Sequence, residues 1–202
     1  KKVLSYSNEI TNNSGKKSSL VRSAMSTVNS NLSPAIDVEK ATSYVINNLV
    51  NNVSTGETST SGGDAAARYI TRRVTLTENQ TAEDLNVFLT AYKPDKTDIK
   101  VYYKILNSLD SDDFDDKSYV EMTQSTNTGV NSVEKKLDDF IEYKYVIASA
   151  NKTGTGGEVT YTNAAGSTFT GFNTFALKIV MLSSTDVVVP QIRDMRAIAL
   201  QI

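Results

Sequence analysis

The sequence contains neither cysteine nor histidine, and these two absences exclude several classes of chemistry. Without histidine no imidazole can serve as a general base, and without cysteine no thiolate can act as a nucleophile. Zinc sites built from cysteine and histidine are excluded for the same reason. An enzyme of this composition would have to rely on carboxylates, as glycosidases do. Glu142 and Asp194 form one such pair, but any acidic protein offers similar pairs, so we expect no enzymatic activity.

An excess of charge of either sign is also missing. Lysine and arginine together number 21, aspartate and glutamate 23, and the net charge is −2. Nucleic-acid binding depends on clustered basic residues, and we interpret the one basic cluster, close to the N-terminus, as a solvated tail. We therefore expect no nucleic-acid partner. The cluster consists of Lys1, Lys2, Lys16, Lys17 and Arg22.

Long hydrophobic runs are absent as well. No stretch reaches the roughly 18 apolar residues of a membrane helix, and no signal-peptide pattern opens the chain. We therefore expect no membrane insertion. Because the sequence begins with Lys1 rather than methionine, we expect a processed chain or a part of a longer one.

Composition divides the chain into three segments. Residues 1–32 have scattered apolar side chains without a period of two or 3.6, which predicts an extended N-terminal arm that becomes ordered on a partner. The second segment is residues 33–63. Apolar residues at three- and four-residue steps over residues 33–53 predict a short helix there, with a strand over Thr42–Ile46 as the alternative. The Ser/Thr/Gly-rich end of this segment, residues 54–63, has the composition of a linker. Residues 64–202 form the predicted body.

The body has the alternation of β-strands. In residues 85–92 one face is apolar, and residues 98–105 repeat the pattern with Lys100 and Lys104 facing outward. Turn-forming residues between them predict a hairpin or a sandwich corner. Pro190 should place the last strand at a sheet edge or divide it. We predict a mainly β fold, an antiparallel β-sandwich of jelly-roll type with an N-terminal extended arm and a short helix. Further strands are predicted at residues 69–76, 119–123, 140–147, 174–182 and 187–200.

Five carboxylates in one short loop form a candidate calcium site, because their mutual repulsion would be relieved by a cation that prefers oxygen ligands. The spacing excludes an EF-hand, since Phe114 and Asp115 occupy the fifth and sixth positions, where a ligand and a glycine are needed. Two interpretations stay open: a calcium loop of another kind, or a solvated acidic loop between strands. The five residues are Asp110, Asp112, Asp113, Asp115 and Asp116.

Two further groups of side chains could bind partners. Tyrosines at strand positions are candidate stacking platforms for sugars, although aromatic residues at such positions more often pack within a sheet. Arginines on two predicted strands are candidates for ion pairs between subunits, with pairing inside the sheet as the alternative. The tyrosines are Tyr102, Tyr103, Tyr143 and Tyr145, and the arginines are Arg68, Arg72, Arg73, Arg193 and Arg196.

Several strand segments resemble tail and baseplate-associated virion proteins of contractile-tailed phages, especially those that infect cyanobacteria. The resemblance spans residues 33–200 and includes no catalytic motif. It implies a non-enzymatic structural component of the virion tail or baseplate, homo-oligomeric and in contact with other virion subunits. The alternative is a carbohydrate-binding or receptor-contacting module of a tail fibre or spike. The segments that carry the resemblance are residues 67–76, 82–94, 97–108, 175–180 and 189–200.

Overall fold

A computed structural model divides the chain into two units, residues 1–48 and 49–202. In the first unit, β1 (Lys2–Val3) pairs antiparallel with β2 (Ile46–Asn47). The predicted helix over residues 33–53 lies partly outside the described residues, and the described part of that range contains β2 and no helix. The residues described are 2–3, 24–29, 31, 34–36, 46–60, 62–133, 139–154, 157–185 and 188–202.

The described residues of the predicted arm belong to no helix or strand after β1. Residues 24–29, 31 and 34–36 are all exposed. Three of them are large and apolar, and Val28 has no side-chain contact that shields it from solvent, with a relative exposure of 109%. This part of the chain therefore offers apolar side chains that do not contribute to a core. The other two are Met25 and Ile36.

The described residues of the second unit form eleven strands with antiparallel pairing, so the predicted mainly β, antiparallel fold is confirmed. One sheet has the order β3-β12-β6-β7, with β4 also paired to β12, and the other has the order β13-β5-β9-β8. β10 and β11 form a separate hairpin, which the sequence analysis missed. The jelly-roll connectivity stays a prediction. The strands are β3 (Ala67–Ile70), β4 (Val74–Thr75), β5 (Asp84–Tyr92), β6 (Thr97–Leu106), β7 (Val120–Glu121), β8 (Thr123–Gln124), β9 (Ile141–Val146), β10 (Thr160–Thr162), β11 (Thr168–Thr170), β12 (Thr174–Ser183) and β13 (Gln191–Leu200).

One hydrophobic core joins the inner faces of the two sheets. The alternating residues of β5 are fully buried, and those of β6 and β12 pack against them from the opposite sheet. Because β5 and β6 belong to different sheets, the turn between them is a sandwich corner and not a hairpin. Burial of each large aliphatic side chain in such a core contributes about 1.5–3 kcal/mol. The core includes Leu85, Val87, Leu89 and Ala91 of β5, Ile99, Val101, Tyr103 and Ile105 of β6, and Phe175, Leu177 and Ile179 of β12.

Two predicted strands are each divided in the structure. Residues 69–76 become β3 and β4, because the Thr71 hydroxyl accepts the Leu177 N–H at 2.9 Å and so takes the place of a ladder bond. Residues 119–123 become β7 and β8, which join opposite sheets on either side of the buried Met122. Pro190 directly precedes β13, which lies at the end of its sheet order as predicted.

The outer face of the β6–β12 sheet is covered by a second layer, which the sequence analysis did not predict. The covering segment, residues 51–60 and 62–66, is called the strap here. Its Asn51 carbonyl accepts the Ser183 N–H at 2.9 Å, and its Thr58 carbonyl accepts the Tyr119 N–H at 2.9 Å. The interpretation of residues 54–63 as a linker is therefore wrong, because their polar groups bind the body.

Lys104 also lies under this second layer. It was expected to face solvent, yet it is 4% exposed. Its ammonium lies 4.8 Å from the centre of the Tyr119 ring and donates to the Asp115 carbonyl at 3.0 Å. Burial lowers the pKa of Lys104 because the charged form loses water. The outward face of β6 is thus an internal face in the folded protein.

Candidate functional site

The acidic loop folds around its own lysine. Lys117 Nζ lies 2.6 Å from Asp110 Oδ2 and 2.6 Å from Asp112 Oδ2. The Asp110 side chain is fully buried, and it also accepts the Tyr161 hydroxyl at 2.9 Å and the Asn163 amide at 3.1 Å. These bonds join the loop to the β10–β11 hairpin.

The electrostatics of Asp110 follow from these contacts. Burial alone opposes ionisation of this carboxyl, but hydrogen bonds from Lys117, the Asp112 N–H, Asn163 and Tyr161 hold its pKa well below the usual range. The Asp112 pKa is lowered as well, by the Ala164 N–H and by Lys117. Both carboxylates are therefore ionised, and they share the single positive charge of Lys117.

The calcium interpretation does not fit this geometry. A calcium ion takes six to eight oxygens, but the Lys117 ammonium occupies the space between Asp110 and Asp112. Within the described ranges, no group of three or more acidic side chains is placed to hold a metal ion. Of the remaining candidates, Asp113 accepts the Asp115 N–H at 3.0 Å, and Asp116 is exposed. The bonds of Asp110 and Asp112 with Lys117 and the β10–β11 hairpin instead make the loop a structural element.

A cleft of about 460 Å³ lies beside this loop. It opens between the loop, β6 and the β10–β11 hairpin, and amides, hydroxyls and charged groups line much of it. Asn151 and Thr162 supply neutral polar groups, whereas Asp112 and Lys117 supply charge. Burial raises the pKa of Tyr103, on the cleft floor, to about 12. Its hydroxyl is therefore protonated throughout the physiological range.

The four tyrosines proposed as sugar platforms are all buried, with relative exposures of 2% or less. Tyr145 donates its hydroxyl to the Ile99 carbonyl at 2.9 Å, and Tyr143 donates to the Val130 carbonyl at 3.0 Å. Tyr102 contacts the second layer and Tyr103 lies in the inter-sheet core. Their role is packing, and no face of these rings is open for stacking.

The carboxylate pair considered for glycoside hydrolysis is exposed to solvent. Glu142 and Asp194 have side-chain exposures of 49% and 60%. Arg196 forms an ion pair with Glu142, and its Nε lies 3.9 Å from Asp194 Oδ2. An exposed ion-pair network accounts for both residues, so the geometry gives them no catalytic role.

The candidate interface arginines lie on two strands and one connection: Arg68 on β3, Arg193 and Arg196 on β13, and Arg72 and Arg73 between β3 and β4. Arg68 of β3 donates to the Gly63 carbonyl at 2.6 Å, and Arg73 lies 5.6 Å from the Phe114 ring centre. Arg196 of β13 makes the contacts given above. Arg72 and Arg193 are exposed and form no ion pair with any residue that the structure describes. Three of the five arginines are thus held by their own chain.

A buried ion pair, which the sequence analysis missed, fixes the strap to the sheet. Glu57 and Lys178 are each 1% exposed, and Lys178 Nζ lies 3.0 Å from Glu57 Oε2. Glu57 Oε1 accepts the Ala65 N–H at 2.9 Å, and Lys178 also donates to the Gly62 carbonyl at 3.2 Å. The sequence does contain a signal for this pair: Lys178 is a charged residue in the middle of the apolar pattern of β12. A buried charge of this kind needs a partner of opposite charge.

Comparisons of the chain with protein-family models, curated protein sequences and solved structures found no match. In the described part of the chain, no helix is long and apolar enough to cross a membrane.

Proposed function

We propose that this protein is a non-enzymatic structural component of a phage virion tail or baseplate, which assembles with neighbouring subunits through its β-sandwich and its N-terminal arm. The observation that carries the proposal is the exposure of Met25 and Val28 in the arm, followed by exposed Ile36 just beyond it. Exposed apolar side chains on an extended segment are a binding surface for another chain. The resemblance of residues 67–108 to tail and baseplate proteins supports the same function.

The assembly mechanism follows from the energetics of an extended segment. Residues that bury little surface cannot offset their own conformational entropy, and they gain order by covering a partner. The body contains an independent core, so it can present the arm without depending on it. The chemistry of the chain agrees with this role, because it has no histidine or cysteine.

Deletion of residues 1–31 will prevent incorporation into particles while the body stays folded. The measurement is complementation of a phage that lacks this protein, with purified particles probed for the truncated chain. Circular dichroism of the truncated protein will show unchanged β signal and the same melting temperature. As a matched variant, Met25→Ser with Val28→Ser should weaken incorporation, since it removes the apolar contacts alone. Normal incorporation of the truncated chain would contradict the proposal.

A second candidate function is glycan binding by the polar cleft beside the acidic loop, favoured by its neutral amide and hydroxyl lining. Asn151→Ala should then weaken binding of a surface polysaccharide by about threefold to tenfold, the value of one hydrogen bond. A glycan array with the full chain is the measurement. Binding should not depend on calcium, because the Lys117 ammonium already lies against both Asp110 and Asp112. A blank array would leave only the structural function.

A further inference from the structure

The side of the sandwich between β3 and β13 is open. These two strands end the orders of their respective sheets, and a groove of about 350 Å³ lies between them. Tyr69 comes from β3, Met181 from β12 and Met195 from β13, with Ile179 and Ile192 completing an apolar lining. The inner faces of the two sheets are therefore reachable from this side.

The β13 edge itself is long. It runs for ten residues, and in the described part of the chain its only strand partner is β5. The register shifts between Ile192 and Asp194, which places Arg193 in a bulge at the rim of the groove. Beyond the bulge, pairing with β5 continues regularly to Leu200. Long unpaired edges of this kind accept an additional strand from another chain.

The side of the sandwich formed by β3 and β13 is richer in arginine than the rest of the body. Residues 49–202 contain fifteen basic and twenty acidic residues. All five of their arginines nevertheless lie on β3, on β13 or in the segment between β3 and β4. Arg72 and Arg193 have no ion-pair partner within the described residues, whereas Asp194 lies 3.9 Å from Arg196. The exposed guanidinium group of Arg193, at the rim of the groove, fits a carboxylate on a binding partner.

We propose that this side binds an extended acidic segment of a partner subunit, added as a strand to the edge of β13. Alternate apolar side chains of that segment enter the groove against Tyr69 and Met181. Its carboxylates pair with Arg193 at the rim of the groove. The partner's identity as a subunit rests on the proposed function. The chain's own arm is the wrong occupant, because residues 1–31 carry five basic residues and one acidic residue.

A short peptide in which valine alternates with glutamate is the probe, and valine alternating with lysine is the control peptide. With the full chain, calorimetry should detect the glutamate peptide only, and the affinity should fall as salt is raised. Amide exchange should slow at β13 on binding. Arg193→Glu should lower the affinity for the glutamate peptide by about tenfold or more, since an attractive charge-assisted hydrogen bond is replaced by repulsion between two carboxylates. The same variant should gain affinity for the lysine peptide.

Lys96→Glu supplies the matched control, because it makes the same charge change on an exposed turn and should leave binding unchanged. Absence of binding, or equal binding to the Arg193→Glu variant, would overturn the proposal. Self-association of the chain through β13, detected by light scattering, would overturn it too by assigning the edge to a second copy. The two proposals can be tested separately. If the chain without its arm is not incorporated into particles and the glutamate peptide also does not bind, the proposed function is supported and only the proposal for the β13 edge is contradicted.

Discussion

Replacing Lys178 with methionine will lower the free energy of unfolding by about 3–5 kcal/mol, the usual cost of breaking a buried ion pair. The variant removes the closer of the two cations beside the buried Glu57, which is 1% exposed, and leaves only Arg68 at 3.9 Å from its Oε1. It also removes the donor to the Gly62 carbonyl. Urea unfolding at neutral pH measures the change, provided that the m-value stays constant.

A double variant separates the ion pair from simple packing. Lys178→Met with Glu57→Leu should recover much of the loss, because apolar replacement of both partners of a buried pair is often neutral. Lys100→Met is the matched control, since Lys100 and Glu121 form an exposed pair whose loss should cost less than about 1 kcal/mol. A Lys178→Met protein as stable as the control would contradict the assigned role of the pair.

Asp110→Asn should cost about 1.5–3 kcal/mol at neutral pH, the value of a hydrogen bond to a charged group. The carboxylate accepts bonds from Lys117, Tyr161 and Asn163, so its neutral replacement weakens the connection between the acidic loop and the β10–β11 hairpin. Thermal or urea unfolding gives the difference. Asp116→Asn, at an exposed position of the same loop, should change stability by no more than about 0.5 kcal/mol.

The contribution of Asp110 to the free energy of unfolding should decrease at acidic pH. Its pKa in the folded protein lies well below the ordinary value of 3.8, so below that value the unfolded chain binds more protons. The contribution of Asp110 is therefore fully present above pH 4 and decreases as the pH falls toward the folded-state pKa. The stability difference between the wild-type protein and Asp110→Asn should shrink over this acidic range. A difference that stays constant down to pH 2 would contradict the assignment.

The inter-sheet core could be predicted from the sequence because one physical rule dominates there. A strand with one face in the core alternates apolar and polar residues, and Leu85, Val87 and Leu89 follow this pattern clearly. The corner between β5 and β6 could not be distinguished from a hairpin. Both use the same turn residues, and the choice depends on which sheet each strand joins.

The second layer could not be predicted, because its two halves are far apart in the chain. Glu57 and Lys178 meet across 121 positions, and the serines, threonines and glycines of the strap have the composition of a linker. Composition does not reveal whether polar groups bind water or a sheet. The acidic loop is a similar case: Lys117 follows the cluster directly, but sequence alone does not show that it folds back between Asp110 and Asp112.

The position of β12 governs the order in which the body can form during synthesis. It is the penultimate strand of the chain, yet it pairs with β3, β4 and β6. On the ribosome, the apolar face of β6 emerges long before β12, which completes its sheet, and the apolar face of β5 emerges before β13, its own partner at the sheet edge. Folding must then wait for contacts of high sequence separation, which slows it and leaves these faces open to aggregation. A nascent chain that stalls before residue 174 should therefore depend on chaperones.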